Sequence, residues 1–202
     1  VGYKFCEKLL NKAGGGSFTI TVIGEEPRPA YDRVHLSAYF SGTSVDELTM
    51  APASWYAEND IQLITGECVL QIYPEAHCVV THTGRKIEYD KLILATGSSA
   101  FVPPVPGVEK EGVFVYRTIE DLDAIISYSK SAQRAAVIGG GLLGLEAAKA
   151  TLDLGLETHV IEFAPRLMPR QLDAAGAGML KRKMEALGIQ IHLNKNTGYV
   201  VV

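Results

Sequence analysis

The hydrophobic positions change period several times along the chain. Over residues 1–12, Phe5, Leu9 and Lys12 fall at helical spacing and Gly14–Gly16 end the run, which predicts a helix and a glycine turn. Residues 18–24, Phe-Thr-Ile-Thr-Val-Ile-Gly, are apolar and β-branched and predict a buried strand, broken by Glu25-Glu26-Pro27-Arg28-Pro29. Residues 30–50 mix periods and predict short helical pieces. Ala53–Asn59 reads as a helical turn and Ile61–Ile64 as a strand. From Cys68 to Leu94 short β runs alternate with turn signals at Pro74, Thr83-Gly84 and Asp90, a small β meander ending in the apolar strand Leu92–Leu94.

Residues 101–116 carry Pro103, Pro104, Pro106, Gly107 and Gly112, which interrupt regular structure and mark the domain boundary. Thr118 with Asp121 has the spacing of a capping box and opens a helix to about Lys130. A β-α-β unit follows: strand Ala135–Ile138, a glycine turn, helix Leu143–Leu154 stopped by Gly155, strand Thr158–Glu162. A helix from Asp173 to Leu187, a strand at Ile189–Leu193 and the start of another at Val200–Val202 complete the pattern. Strands alternating with helices predict a parallel sheet with helices on both faces.

Composition narrows the function classes. Nineteen basic against 23 acidic residues give a net charge of −4 over 202 residues, the wrong sign for general nucleic-acid binding. No apolar run approaches the ~18 residues of a membrane-spanning helix, so no membrane partner is expected. Cys6, Cys68 and Cys78 are far apart and form no CxxC, which speaks against disulfides, a metal site or an iron–sulfur cluster in this stretch and for three buried thiols in a reducing, cytoplasmic compartment. The five histidines lack metal-ligand spacing. The chain opens on Val1-Gly2-Tyr3-Lys4, neither an initiator nor a signal peptide, and is read as incomplete at both ends.

Chemistry concentrates in the glycines. Gly139-Gly140-Gly141-Leu142-Leu143-Gly144 reads G-x-G-x-x-G, follows a strand, opens a helix, and is answered by Glu162 at the end of the next strand. Gly139 permits the tight turn, Gly141 admits a pyrophosphate to the backbone, and Gly144 lets helix and strand approach; Glu162 can accept both ribose hydroxyls of an adenosine. Gly2 stands in the same relation to Glu25 as the last glycine of such a motif, whose first strand and first two glycines would precede the chain. Ala95-Thr96-Gly97 ends the apolar run Leu92–Leu94 in small residues that allow close backbone approach. The fold class is therefore α/β: two Rossmann-like dinucleotide-binding domains with parallel sheets and a small β meander, the first domain incomplete. Their bounds are 1–101 and 117–202, with 102–116 as a Pro-rich crossover.

A Rossmann start, a meander, Ala95-Thr96-Gly97, a Pro-rich crossover and a second G-x-G-x-x-G resemble the flavoprotein reductases of the pyridine nucleotide-disulfide oxidoreductase type. The stretches Gly24–Ser37, Tyr89–Ser98, Tyr116–Leu122, Gly139–Ala148 and Leu167–Asp173 are most similar to the branch of NAD(P)H-dependent assimilatory nitrite reductases. Related ferredoxin and rubredoxin reductases usually carry Leu-Ser-Lys where this chain has Leu36-Ser37-Ala38. The resemblance implies that residues 1–101 are part of an FAD-binding domain and 117–202 an NAD(P)H-binding domain. It places Gly2 at the FAD pyrophosphate, Glu25 at its adenosine ribose, Arg33 at its diphosphate or adenine, Val69 beside the adenine, and Ala95, Thr96 and Gly97 along the cofactor. Gly139, Gly141, Gly144 and Glu162 would hold NADH, with NADPH open, and Glu146 would lie near the flavin–nicotinamide junction. No side-chain acid, base or nucleophile is required. The first helix offers Cys6 alone, not the cysteine pair of a disulfide reductase. The implied role is electron input from NADH to FAD, for onward transfer to iron–sulfur and sirohaem centres in further domains that reduce nitrite. A stand-alone ferredoxin or rubredoxin reductase, an NADH oxidase and a non-catalytic nucleotide-binding module remain alternatives. An electron-carrier protein as partner and a homodimer are compatible with the same resemblance. By itself the chain is expected to bind FAD weakly or not at all and to be inactive.

Overall fold

The structure, a computed structural model, describes residues 1–13 and 18–202. The glycine turn expected at Gly14–Gly16 lies outside the described residues. The chain divides into two compact units, one formed by 1–32 and 45–98, the other by 33–44 and 99–202.

In the first unit, α1 (Gly2–Ala13) precedes β1 (Ile20–Ile23), and α2 (Val45–Leu48) and α3 (Ala53–Glu58) lead into β2 (Ile61–Ile64). β1 and β2 pair in parallel, Ile20 opposite Ile61 and Ile23 opposite Ile64. A two-stranded sheet covers β1 incompletely, so all four of its residues are half-buried where full burial was expected. The core is Cys6, Ala51, Tyr56 and Ile61, with Tyr3, Trp55, Val22 and Leu63 packed against it. Trp55 meets Tyr3 edge-on at 5.0 Å and Tyr56 at 5.1 Å, which fixes α3 against α1. All three cysteines are free; Cys6 and Cys78 are buried, but Cys68 is only half-buried.

The meander comprises β3 (Val69–Tyr73), β4 (Cys78–Thr81) and β5 (Lys86–Glu88), antiparallel throughout. Its expected last strand, Leu92–Leu94, does not form. These residues have no ladder partner among the described residues, and their side chains are 36%, 53% and 66% exposed. An apolar run becomes a strand only when an edge is available to satisfy its amides and carbonyls.

The second unit contains a 3-10 helix over Arg33–Ser41, then α4 (Ile119–Ser129), β6 (Arg134–Ile138), α5 (Leu142–Asp153), β7 (Glu157–Ile161), α6 (Ala174–Ala186) and β8 (Gln190–His192). The predicted capping box is present: Thr118 Oγ1 accepts from the Asp121 amide, and the Asp121 carboxylate accepts from the Thr118 amide at 2.8 Å. The strands form a parallel sheet in the order β6-β7-β8, so two successive crossovers run through α5 and α6. Thr158 and Val160 face a core of Leu145, Ala148, Leu167, Met184 and Ile189. Each of the larger apolar side chains, Leu145, Val160, Leu167, Met184 and Ile189, contributes roughly 1.5–3 kcal/mol. Helices α5 and α6 supply that one face; on the other, Arg134, Ala136 and Ile138 are exposed, so the expectation of helices on both faces is met on one. Val200–Val202 form no strand either, the Val200 amide donating instead to the Pro106 carbonyl at 2.8 Å.

Candidate functional site

The glycine loop joins β6 to α5, and its glycines do different work. Gly139 has φ +115°, where a side chain is strained, and its amide donates to the Ile161 carbonyl at 2.8 Å. Gly144 lies in the first turn of α5, where a Cβ would stand 2.0 Å from the Gly139 carbonyl oxygen. The close approach is therefore between helix and loop; β6 is represented only by Val137, at an ordinary 3.7 Å.

Gly141 is the N-cap of α5, with φ −81° and ψ −178° and no side-chain cap. A Cβ there would meet nothing within 4 Å. Neither backbone strain nor packing asks for glycine at this position. What remains is open space before the helix's first-turn amides, which have no side-chain cap and which carry the positive end of the helix dipole. A helix start of this kind attracts an anion.

Glu162 follows β7 directly. Its Oε2 accepts from the Gly140 amide at 2.5 Å and its Oε1 from the Ala164 amide at 2.6 Å. Each carboxylate oxygen keeps a further lone pair. The carboxylate is thus fixed beside the loop and still able to accept two hydroxyls. Arg166, the cation nearest in sequence, is drawn elsewhere: its Nη2 donates to the Pro169 carbonyl at 3.2 Å. Gly140 is a residue that sequence reasoning passed over, because it occupies a variable position of the motif.

Glu146 is half-buried in α5, close enough for its charge to act on Tyr116. Burial pushes the Tyr116 phenol up from its ordinary value, and the Glu146 charge adds to this. Phe40, from the 3-10 helix, stacks on Tyr116 with ring centroids 6.0 Å apart and planes 8° from parallel. Arg33, on the same 3-10 helix, donates from Nη1 to the Arg117 carbonyl at 2.9 Å.

In the first unit the structure brings together the start of α1 and Ala95-Thr96-Gly97: a Cβ on Gly2 would lie 3.7 Å from Ala95 Cβ. Residues 91–100 are exposed and irregular, and Gly97 has φ +70°. Glu25 is exposed just beyond β1, and Val69 opens β3 at a register shift with Gln71. Small residues thus meet at the N-terminus of α1.

Sequence reasoning also missed a pair of histidines. His159 Nδ1 and His192 Nε2 are 3.0 Å apart with stacked rings, brought together by the parallel pairing of β7 and β8. Among the described residues no three His, Cys, Asp or Glu side chains converge on a metal position, and no helix is long and apolar enough to cross a membrane.

The chain is similar to known proteins along most of its length. The profile of the family described as pyridine nucleotide-disulphide oxidoreductase matches residues 2–200. The nitrite reductase (NADH) large subunit of Escherichia coli is 50% identical over 201 residues, covering all of this chain and 24% of that protein. The assimilatory nitrate reductase electron transfer subunit of Bacillus subtilis is 42% identical over 97% of this chain and 25% of its own length. The chain thus spans about a quarter of these relatives. The crystal structure of NADH:rubredoxin oxidoreductase from Clostridium acetobutylicum superposes with a TM-score of 0.82 at 34% identity, over 91% of this chain and 49% of that one.

Proposed function

The chain belongs to the pyridine nucleotide-disulphide oxidoreductase family, and on that premise we propose that it is the electron-input part of an NADH-oxidising flavoprotein. The observation that carries the reading is the pairing of an open, uncapped helix start at Gly141 with a pinned carboxylate at Glu162. One binds a pyrophosphate, the other a ribose diol, and together they select a dinucleotide. Bound FAD would supply the redox chemistry, as acceptor of the hydride that NADH carries.

The chain's own residues bind and orient. Gly139, Gly141 and Gly144 form the NADH pyrophosphate cradle, within a domain that we bound at 117–202. Gly2, Glu25, Val69 and Ala95-Thr96-Gly97 serve FAD in a domain bounded at 1–101, and Arg33 serves its diphosphate or adenine. Glu146 lies toward the nicotinamide. No proton needs to be held by a side chain for hydride transfer, so no residue is assigned as acid or base.

The name of the Escherichia coli relative favours nitrite as the terminal oxidant, while that of the Bacillus subtilis relative, an electron transfer subunit of a nitrate reductase, supports the electron-transfer role. Cys6, Cys68 and Cys78 do not converge, so the described residues do not fit an iron–sulfur or sirohaem centre. The likeness to a rubredoxin reductase keeps a small electron-carrier protein as the second reading. The test is NADH oxidation by the full flavin-loaded protein with ferricyanide, nitrite and rubredoxin in turn. Turnover with ferricyanide and nitrite supports the reading. Turnover with rubredoxin but not nitrite supports the alternative, and none with ferricyanide would remove the oxidoreductase assignment.

A further inference from the structure

The structure assigns Gly140, a variable position of the glycine motif, as the residue that positions Glu162 for the adenosine ribose. This deepens the reading of the site as an NADH site and rests on it.

Gly140 is tied on three sides. Its amide donates to Glu162 Oε2 at 2.5 Å, and its carbonyl accepts from the Met168 amide at 2.9 Å. In the direction of a side chain there is no room: a Cβ would come within 2.7 Å of Leu167 Cδ2, 3.0 Å of Glu162 Oε2 and 3.2 Å of Glu162 Cβ. Leu167 is fully buried and cannot swing into solvent. Glu162 is the more movable neighbour, because it is only half-buried at the end of β7. A methyl group on Gly140 therefore pushes the carboxylate off its amide. The contrast with Gly141 is sharp: one residue on, a Cβ meets nothing. Two adjacent glycines thus serve different ends, Gly141 leaving space for a ligand and Gly140 leaving space for the residue that reads it.

The hydrogen bond also makes chemical sense of the fixed orientation. A carboxylate on a bare strand end explores several rotamers, and each must be frozen when a ribose binds. Two backbone donors, Gly140 and Ala164, hold both oxygens before the ligand arrives, with lone pairs left over.

The test is calorimetric binding of ADP-ribose, which carries the pyrophosphate and ribose but no nicotinamide, to the full protein. Wild type, Gly140→Ala, Glu162→Ser and the double variant are compared. Gly140→Ala is expected to weaken ADP-ribose by roughly 10-fold or more, the scale of one lost charge-assisted hydrogen bond. In the Glu162→Ser background the same change is expected to have little further effect. Equal weakening in both backgrounds, or none in either, overturns the role of Gly140 while leaving the site reading intact. Failure of the wild type to bind ADP-ribose removes the site reading itself. A second measurement does not depend on the variant folding. The Gly140 amide proton of the wild type should be protected from exchange and shift on Glu162→Gln, and an amide indifferent to that substitution overturns the inference.

Discussion

A Cβ placed on Gly144 would stand 2.0 Å from the carbonyl oxygen of Gly139, so the first turn of α5 closes directly onto the backbone of the loop before it. Two effects oppose each other at this position. Glycine inside a helix costs up to about 1 kcal/mol relative to alanine. The clash is with backbone, which cannot rotate away, and overpacking of this kind costs about 1–3 kcal/mol. The clash wins, and Gly144→Ala is expected to lower Tm and to weaken NADH together. Thermal unfolding by circular dichroism and an NADH titration check both. A rise in Tm would mean that the loop yields more easily than its geometry indicates.

Gly141→Val should separate what Gly144→Ala joins. The backbone at Gly141 is extended and its side-chain direction is open, so the fold tolerates a branched residue there. Because Gly141 is the N-cap of α5, where valine is disfavoured relative to glycine, stability should fall by roughly 0.5–1 kcal/mol without loss of the fold. The valine occupies the space before the helix amides, and NADH binding should fall below detection. Unchanged affinity would make the loop a packing device only.

Glu67 gives the meander an acid-sensitive brace. Its carboxyl is held below its usual value first by a hydrogen bond from the Thr81 hydroxyl, then by the charge of Arg85, whose Nη2 lies 2.9 Å from Oε1, and by Thr83. A carboxyl lowered in the folded state contributes stability above its unfolded value and loses it as pH falls through the folded one. The contribution should therefore be complete at neutral pH and fade below about pH 4.5. Glu67→Gln is expected to lower Tm at pH 7 and to flatten its decline on acidification. Parallel Tm curves for wild type and variant down to about pH 3 would remove Glu67 from the account.

The elements most legible from sequence were those whose signals are local. Thr118 and Asp121 announce the start of α4 because both partners of the capping box lie within one turn. The unit β6-α5-β7 is readable because its period changes at a run of glycines and its acid sits at the strand end. What escaped depends on distant partners. Leu92–Leu94 has the composition of a strand, but composition does not reveal whether an edge is there to receive it. His159 and His192 are 33 positions apart and meet only through the register of two parallel strands. Gly140 was hidden differently: the motif marks it as variable, and only Leu167 and Glu162 in place show why a side chain does not fit.

Glu162 should set the choice between NADH and NADPH. Its carboxylate lies at the strand end with both oxygens already held by amides, so it cannot turn away from an incoming phosphate without breaking them. A 2′-phosphate would face it at contact distance, and two like charges about 4 Å apart repel by ~1 kcal/mol in bulk water and by more where water is excluded. Arg166 would be the natural counterweight, since a guanidinium pairs well with phosphate. Its Nη2 is engaged by the Pro169 carbonyl, so reaching the ribose requires giving up that bond. The acid therefore outweighs the arginine, and NADH is expected to be preferred by roughly 10-fold or more, the factor that about 1.4 kcal/mol corresponds to. Glu162→Ser removes the repulsion and also the diol acceptor, so kcat/KM for NADH should fall while that for NADPH rises. Steady-state kcat/KM for both nucleotides with ferricyanide, on wild type and variant, decides it. A wild type that uses NADPH as well as NADH would show that Arg166 leaves Pro169 when the phosphate arrives, and selectivity would then have to be sought in that arginine.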